Sequence, residues 1–254
     1  MSLPFFYIEH FDTTASFLKL NEETSKHVVQ VLRMQAGEPL HLTDGKGHLI
    51  TAEIAQADKK HCMVKVKGVR FKAEGERKTS IAISLVKNAS RFEWFLEKAT
   101  ELGVSEIIPL ICERTERQHF RYERMNGIVV SAMLQSQQVW LPELHEPVKF
   151  EDCIRQTSPS DEVERSKVLS RPTETSDGGV KLIAHCEETE KQQLSNIQMN
   201  QFSKSIILIG PEGDFSSAEI EMALNNNFQP VALGQTRLRT ETAGVTAAVL
   251  LSIR

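Results

Sequence analysis

The 254-residue chain is 40% hydrophobic and 25% charged with a formal net charge of −4, which excludes disordered and fibrous classes and argues against indiscriminate nucleic-acid binding. No apolar run approaches the roughly 20 residues of a membrane-spanning helix, and MSLPFFYIEH lacks the regions of a secretion signal, so a soluble, cytoplasmic protein is expected. Cys62, Cys112, Cys153 and Cys186 form no CxxC pair and the eight histidines no HExxH, so reduced thiols and no metal site are expected.

In chain order, Thr24 or Ser25 is placed to cap a helix through Val28, Val29, Leu32 and Met34, and Gly37 lies just past its end. LHLTD, HLITAEIAQA and CMVKVKGVRF then alternate polar and apolar residues around a turn at Gly45-Lys46-Gly47, the pattern of a small β-barrel. KAEGERK at 72–78 reads as a linker, dividing the chain into a barrel at 1–72 and a second domain at 73–254. Residues 1–72 carry a net +2 and the remainder −6. Lys59 to Lys72 holds six basic residues and no acid, a concentration suited to a phosphate backbone. Lys65 and Lys67 also alternate with Val64 and Val66, as on any strand with one solvated face, and the two readings stand level.

From Ser80 the units lengthen. SIAISLV is a buried strand, Ser90 is placed to cap a helix carrying Phe92, Phe95, Leu96 and Ala99, Gly103 ends it, and EIIPLIC is the next strand. A helix from about Arg121 to Gln138 stops before Pro142, and VKLIAHC, SIILIG and QPVALG are further strands. This alternation is that of a parallel sheet with helices. The hydrophilic stretch from Arg155 to Gly179 is expected to be a mobile surface insertion.

Two late segments carry the chemistry. In SIILIG-PEGDFSSAEIEMAL a buried strand delivers a loop bounded by Gly210 and Gly213, stiffened by Pro211, before a helix opened by the capping box Ser216/Glu219. Such loops at the carboxyl ends of strands are where open α/β sheets hold ligands. QPVALG-QTRLR-TETAGVTAAVLLSI repeats the arrangement, with Thr240 a plausible cap and Arg237 and Arg239 standing in apolar surroundings.

Together, IGPEG, the following LG, LRTETA with its apolar helix, HVVQVLR at His27 to Arg33, DGKG at Asp44 to Gly47, FLEKATELGVSEIIPL at Phe95 to Leu110, and Glu113-Arg114 resemble the RsmE family of the SPOUT class of methyltransferases, over nearly the whole chain outside 155–179. The resemblance implies a PUA-like β-barrel followed by an α/β domain with a trefoil knot, dimerisation through the knot, and S-adenosylmethionine bound by Gly210, Pro211, Glu212, Gly213, Leu233, Gly234, Leu238, Arg239, Thr242 and Ala243. It further implies methylation of a uridine at N3 in 16S ribosomal RNA of the small subunit. Arg33, Lys59, Lys60, Lys65, Lys67 and Arg70 are then the candidate RNA contacts. Removing the N3 proton puts negative charge on the uridine carbonyl oxygens, which an arginine can stabilise; Arg239 is the first candidate and Arg114 the second. Glu241 or Glu212 is placed to accept the proton or to orient an arginine, and a structural role at the helix terminus weighs slightly more for Glu241. Three residues depart from the family pattern: Asp214 follows GPEG where a glycine is usual, and Leu134 and Gln138 replace charged positions. The alternatives are a related enzyme acting on another RNA and a non-catalytic RNA-binding module of the same fold.

Overall fold

The computed structural model describes residues 3–116, 119–157 and 178–252, so most of the expected insertion, 158–177, lies outside the described residues. The chain forms two units, one of residues 1–75 with 130–141 and the other of 76–129 with 142–254. The first unit thus recruits a segment that sequence patterning grouped with the second domain.

In the first unit, β1 (Phe5–Tyr7), β2 (Phe17–Lys19), β3 (Pro39–Thr43), β4 (His48–Gln56) and β5 (Met63–Phe71) make a sheet in the order β1-β3-β4-β5-β2. Only β1 and β3 run parallel. Strand alternation turns Leu40, Leu42, Ile50, Ala52, Ile54 and Val64 inward, all essentially inaccessible to water, where they meet Phe6, Leu20 and Val28. Register breaks at Thr51/Ala52 and Ile54/Gln56 curl the sheet around this core.

The first helix starts earlier than the sequence suggests. Asn21 caps α1 (Glu22–Lys26) by accepting from the Thr24 amide, and a π-helical turn, His27–Val31, continues it. Ser25 is buried inside, its hydroxyl donating to the Leu20 carbonyl and accepting from the Cys62 amide at 3.0 Å. A serine that can pair with its own core fits there better than at a cap. Residues 139–141 zip onto the DGKG turn: the Gly47 amide donates to the Val139 carbonyl, the Leu141 amide to the Gly45 carbonyl, and the Trp140 indole to the Lys72 carbonyl at 2.9 Å. Gly47 has φ +94°, and a Cβ there would lie 2.7 Å from the Trp140 ring, so only glycine fits.

The second unit is built on β6 (Lys78–Ser84), β7 (Glu106–Ile111), β8 (Glu143–Leu144), β9 (Val148–Lys149), β10 (Gly179–Ala184), β11 (Gln192–Gln193), β12 (Lys204–Ile209) and β13 (Gln229–Ala232). The order is β11-β13-β10-β12-β6-β7-β8 with β9 also on β7, and every pairing is parallel. Ile81, Ile83, Leu182, Ile183, Ile207 and Leu208 are sealed from water, as a parallel sheet covered on both faces requires.

The helices are α2 (Ala89–Glu101), α3 (Tyr122–Gln135), α4 (Phe150–Gln156), α5 (Ser217–Asn225) and α6 (Thr240–Ser252); α3 runs from the second unit into the segment grouped with the first. Asn88 rather than Ser90 caps α2, accepting from the Ser90 amide. α6 lies on α2 and on the Ile83 side of β6, with Gly244 at the closest approach. α4 and α5 cover the other face, where the Phe150 and Phe215 rings meet with centroids 5.3 Å apart, tilted by 55°, in one cluster with Ala82 and Leu208.

Candidate active site

Three neighbouring parallel strands, β13, β10 and β12, end at one edge of the sheet, and the chain leaving each of them turns there. Between these ends lies a cleft of about 270 Å³. Of the residues expected to hold a cofactor, Gly210, Pro211, Glu212, Leu238, Arg239 and Ala243 line it; Gly213, Leu233, Gly234 and Thr242 are not in its wall. Ala184, Cys186, Ile209, Asp214, Arg237 and Thr240 also line it. Sequence reasoning missed Ala184 and Cys186 although their signal was present, since the carboxyl end of a buried strand beside β12 belongs to the same crevice.

The 210–215 loop is held from several sides. A Cβ on Gly210 would stand 3.1 Å from the Phe215 ring and amide, whereas one on Gly213 would meet only Arg114 at an ordinary 3.5 Å. Ser216 and Glu219 form the expected capping box of α5, and the second Glu219 oxygen accepts from the Glu113 amide at 2.8 Å. Arg114 donates from Nη1 to the Gly213 carbonyl at 2.8 Å and the Phe215 carbonyl at 3.3 Å, so its guanidinium braces the loop. The Glu212 carboxylate accepts from the Lys87 amide. Thr240 sends its hydroxyl to the Gly210 carbonyl at 3.0 Å instead of capping its own helix, whose first turn is closed by the Ala243 amide on the Arg239 carbonyl.

The charged departure at Asp214 has a structural account. Its φ is +64°, its amide donates to the Pro211 carbonyl, and its carboxylate accepts from the Phe215 amide at 2.9 Å and the Cys186 amide at 2.7 Å. It therefore joins the end of β10 to the loop after β12. Gln138, the second departure, donates to Ser136 Oγ, and Leu134 is half-buried in α3.

Arg239 is exposed at the cleft. Glu241 is buried, its Oε1 lies 3.6 Å from Arg91 Nε, and its Oε2 has no hydrogen-bond partner among the described residues. Partial desolvation in the cleft wall, and then the Asp214 carboxylate, push the thiol of the otherwise exposed Cys186 above its ordinary pKa, with Arg237 opposing. His185, between two cleft-lining residues, is buried, and both its ring nitrogens lack hydrogen-bond partners among the described residues.

The basic candidates all belong to the first unit. Arg33 is exposed with φ +56°, Lys59 and Lys60 stand in the β4–β5 turn, and Lys65, Lys67 and Arg70 are exposed along β5. Lys67 is paired with Glu53 at 2.9 Å on that exposed face. Although no metal site is expected from sequence, Glu106, Glu143 and His145 do converge. Both Glu106 oxygens are already engaged there, one by Ser80 and one by His145 at 2.8 Å.

Comparison with known proteins identifies both domains. Residues 73–252 match the family of the RNA methyltransferase domain and residues 20–67 that of the RNA methyltransferase PUA domain. A probable rRNA-methyltransferase from Porphyromonas gingivalis is 37% identical, with TM-score 0.80 over 97% of this chain and 95% of that one. A ribosomal RNA small subunit methyltransferase E from Neisseria gonorrhoeae, solved with S-adenosyl methionine, is 26% identical with TM-score 0.80 over 97% and 95%. The enzyme of that name from Synechocystis is 30% identical over 87% of this chain and 68% of its own length. The barrel is thus the PUA-like domain and the parallel sheet the knotted SPOUT methyltransferase domain, and the chain belongs to the RsmE family of RNA methyltransferases.

Proposed function

We propose that this protein transfers the methyl group of S-adenosylmethionine to N3 of a uridine in 16S ribosomal RNA, acting on the small subunit as a cytoplasmic homodimer. The observation that carries the reading is the cleft at the carboxyl ends of β10, β12 and β13, walled by the GPEG and LRTETA segments on a chain of this family. Dimerisation is supported by the family resemblance.

The wall suits the cofactor in kind. Ile209, Pro211, Leu238 and Ala243 offer apolar surface to an adenine ring, and the carboxylates of Glu212 and Asp214 favour a positively charged sulfonium nearby. When bound, it supplies a methyl group already activated for in-line attack. The protein must hold the uridine and stabilise its N3 anion. Arg239 is the residue assigned to the ring carbonyl oxygens, because it is an exposed cation at the cleft while the Arg114 guanidinium braces the loop. Glu241, with one buried oxygen that has no partner among the described residues, is assigned the proton or the orientation of an incoming base. Arg33, Lys59, Lys60, Lys65, Lys67 and Arg70 are assigned to the RNA backbone, with Lys67 already sharing its charge with Glu53.

The test mixes the protein with labelled S-adenosylmethionine and small subunits from a strain lacking the endogenous enzyme, then maps the label by mass spectrometry of nuclease fragments. Label on N3 of one uridine supports the assignment. Cofactor binding without transfer points to another RNA, and a folded protein that binds no cofactor overturns the enzymatic reading.

A further inference from the structure

The residue at position 214 is one that conformation alone does not favour. Its backbone is left-handed, where glycine is free of cost and an L side chain is strained, and the family usually has glycine here. The carboxylate is nevertheless fully employed. One oxygen turns back to the following Phe215 amide, and the other reaches the Cys186 amide, 28 positions away in sequence, at 2.7 Å. Both Cys186 and Asp214 line the cleft, and the Cys186 amide stands just past the end of β10, where the strand ladder no longer supplies an acceptor. A short hydrogen bond to an ionised acceptor is about twice as strong as a neutral one, so it ties the two walls together at the cleft itself, beside the more exposed bond of the Ser217 hydroxyl to Glu187 at 2.7 Å.

We infer that Asp214 is a positioning residue for the cofactor: by bridging the end of β10 to the GPEG loop it presets the width of the cleft before the cofactor enters. The inference rests on the cofactor assignment made above. It separates two properties that ordinary structural residues join. Changing Asp214 to glycine removes backbone strain, so the fold is kept or strengthened, while the bridge is lost. Asparagine also tolerates the left-handed region and retains an oxygen acceptor, but it carries no charge.

The experiment compares Asp214→Gly and Asp214→Asn with the unaltered protein by calorimetric titration with S-adenosylmethionine, thermal unfolding, and amide hydrogen exchange of the peptide spanning Cys186. The expected result is roughly tenfold weaker cofactor binding by D214G, the scale of one lost charge-assisted hydrogen bond, at an unchanged or higher unfolding temperature. D214N is expected to recover most of the affinity. Exchange at Cys186 should be slow in the unaltered protein and fast in D214G even without cofactor. Equal affinity for D214G and the unaltered protein overturns the inference, as does D214N binding as weakly as D214G while exchange at Cys186 stays slow, which would make the charge itself the recognition element. An unaltered protein that binds no cofactor refutes the reading beneath, and the exchange result then decides the bridge alone.

Discussion

The Thr240 hydroxyl donates to the Gly210 carbonyl at 3.0 Å, tying the first residue of α6 to the residue that follows β12. Thr240 is buried, so its removal leaves an acceptor with no water to turn to. Thr240→Val keeps the shape and removes the donor; a loss of about 1–3 kcal/mol in urea unfolding is expected, with Thr240→Ser recovering most of it. An unchanged midpoint for the valine variant would remove this bond from the account of the loop.

Gly244 sits where α6 crosses β6 and α2. An added Cβ would stand 2.7 Å from both Ile83 Cδ1 and the Phe95 ring. Alanine improves helix propensity by up to about 1 kcal/mol, but forcing a methyl into a filled core costs about 1–3 kcal/mol. Gly244→Ala is therefore expected to be net destabilising, and a raised melting temperature would contradict the packing described.

Arg114 and Arg239 should separate kinetically. Arg114→Ala loosens the loop that its guanidinium braces, so KM for S-adenosylmethionine should rise several-fold with a smaller change in kcat. Arg239→Ala should lower kcat by about 10²–10³, the scale of one lost oxyanion donor, with cofactor affinity changing less. The opposite pattern would exchange the two assignments.

Burial, aided by the Lys191 ammonium, holds His185 below the ordinary imidazole pKa against the weaker pull of Asp214 and Glu187. The unfolded chain therefore takes up a proton first on acidification. The stability contributed by neutral His185 is complete above the unfolded value near 6.5 and is lost as pH falls through the lower folded value. Urea unfolding at pH 7.5 and 5.5 should show this loss, and His185→Gln should reduce the difference between the two; an equal slope in both proteins would acquit His185.

The first unit should not survive truncation at its apparent linker. A chain ending at residue 75 lacks 139–141 and with them the acceptor for the Gly47 amide and the Trp140 indole bond to Lys72. Hydrogen exchange on such a fragment should find β4 and β5 poorly protected, and adding a peptide of residues 130–141 should restore protection.

Long buried strands and glycine-bounded loops were legible because their signals are local. IGPEG and LRTETA announced two walls of the cleft, and the Ser216/Glu219 box appears where the spacing puts it. What depends on distant partners was not legible. Asn21 and Asn88 supplant the expected caps because Ser25 is drawn into the barrel core and Ser90 serves as donor to Asn88. The two-residue strands β8, β9 and β11 have too few residues to show any period, and they exist because β7 and β13 offer open edges. The third wall, at Ala184 and Cys186, becomes visible only once β10 is known to lie between β12 and β13. Residue 214 reads as an anomaly in the string and as a bridge in space.

The placement of β6 bears on synthesis. One of its neighbours, β7, follows it directly, but the other, β12, begins only at residue 204 of the 254. Until then a strand with the buried run Ile81, Ala82 and Ile83 presents an unpaired edge, the kind of surface that recruits other chains. Completion of the sheet is thus a late event on the ribosome, and a message truncated before Ile209 yields a product prone to aggregate rather than a smaller working domain.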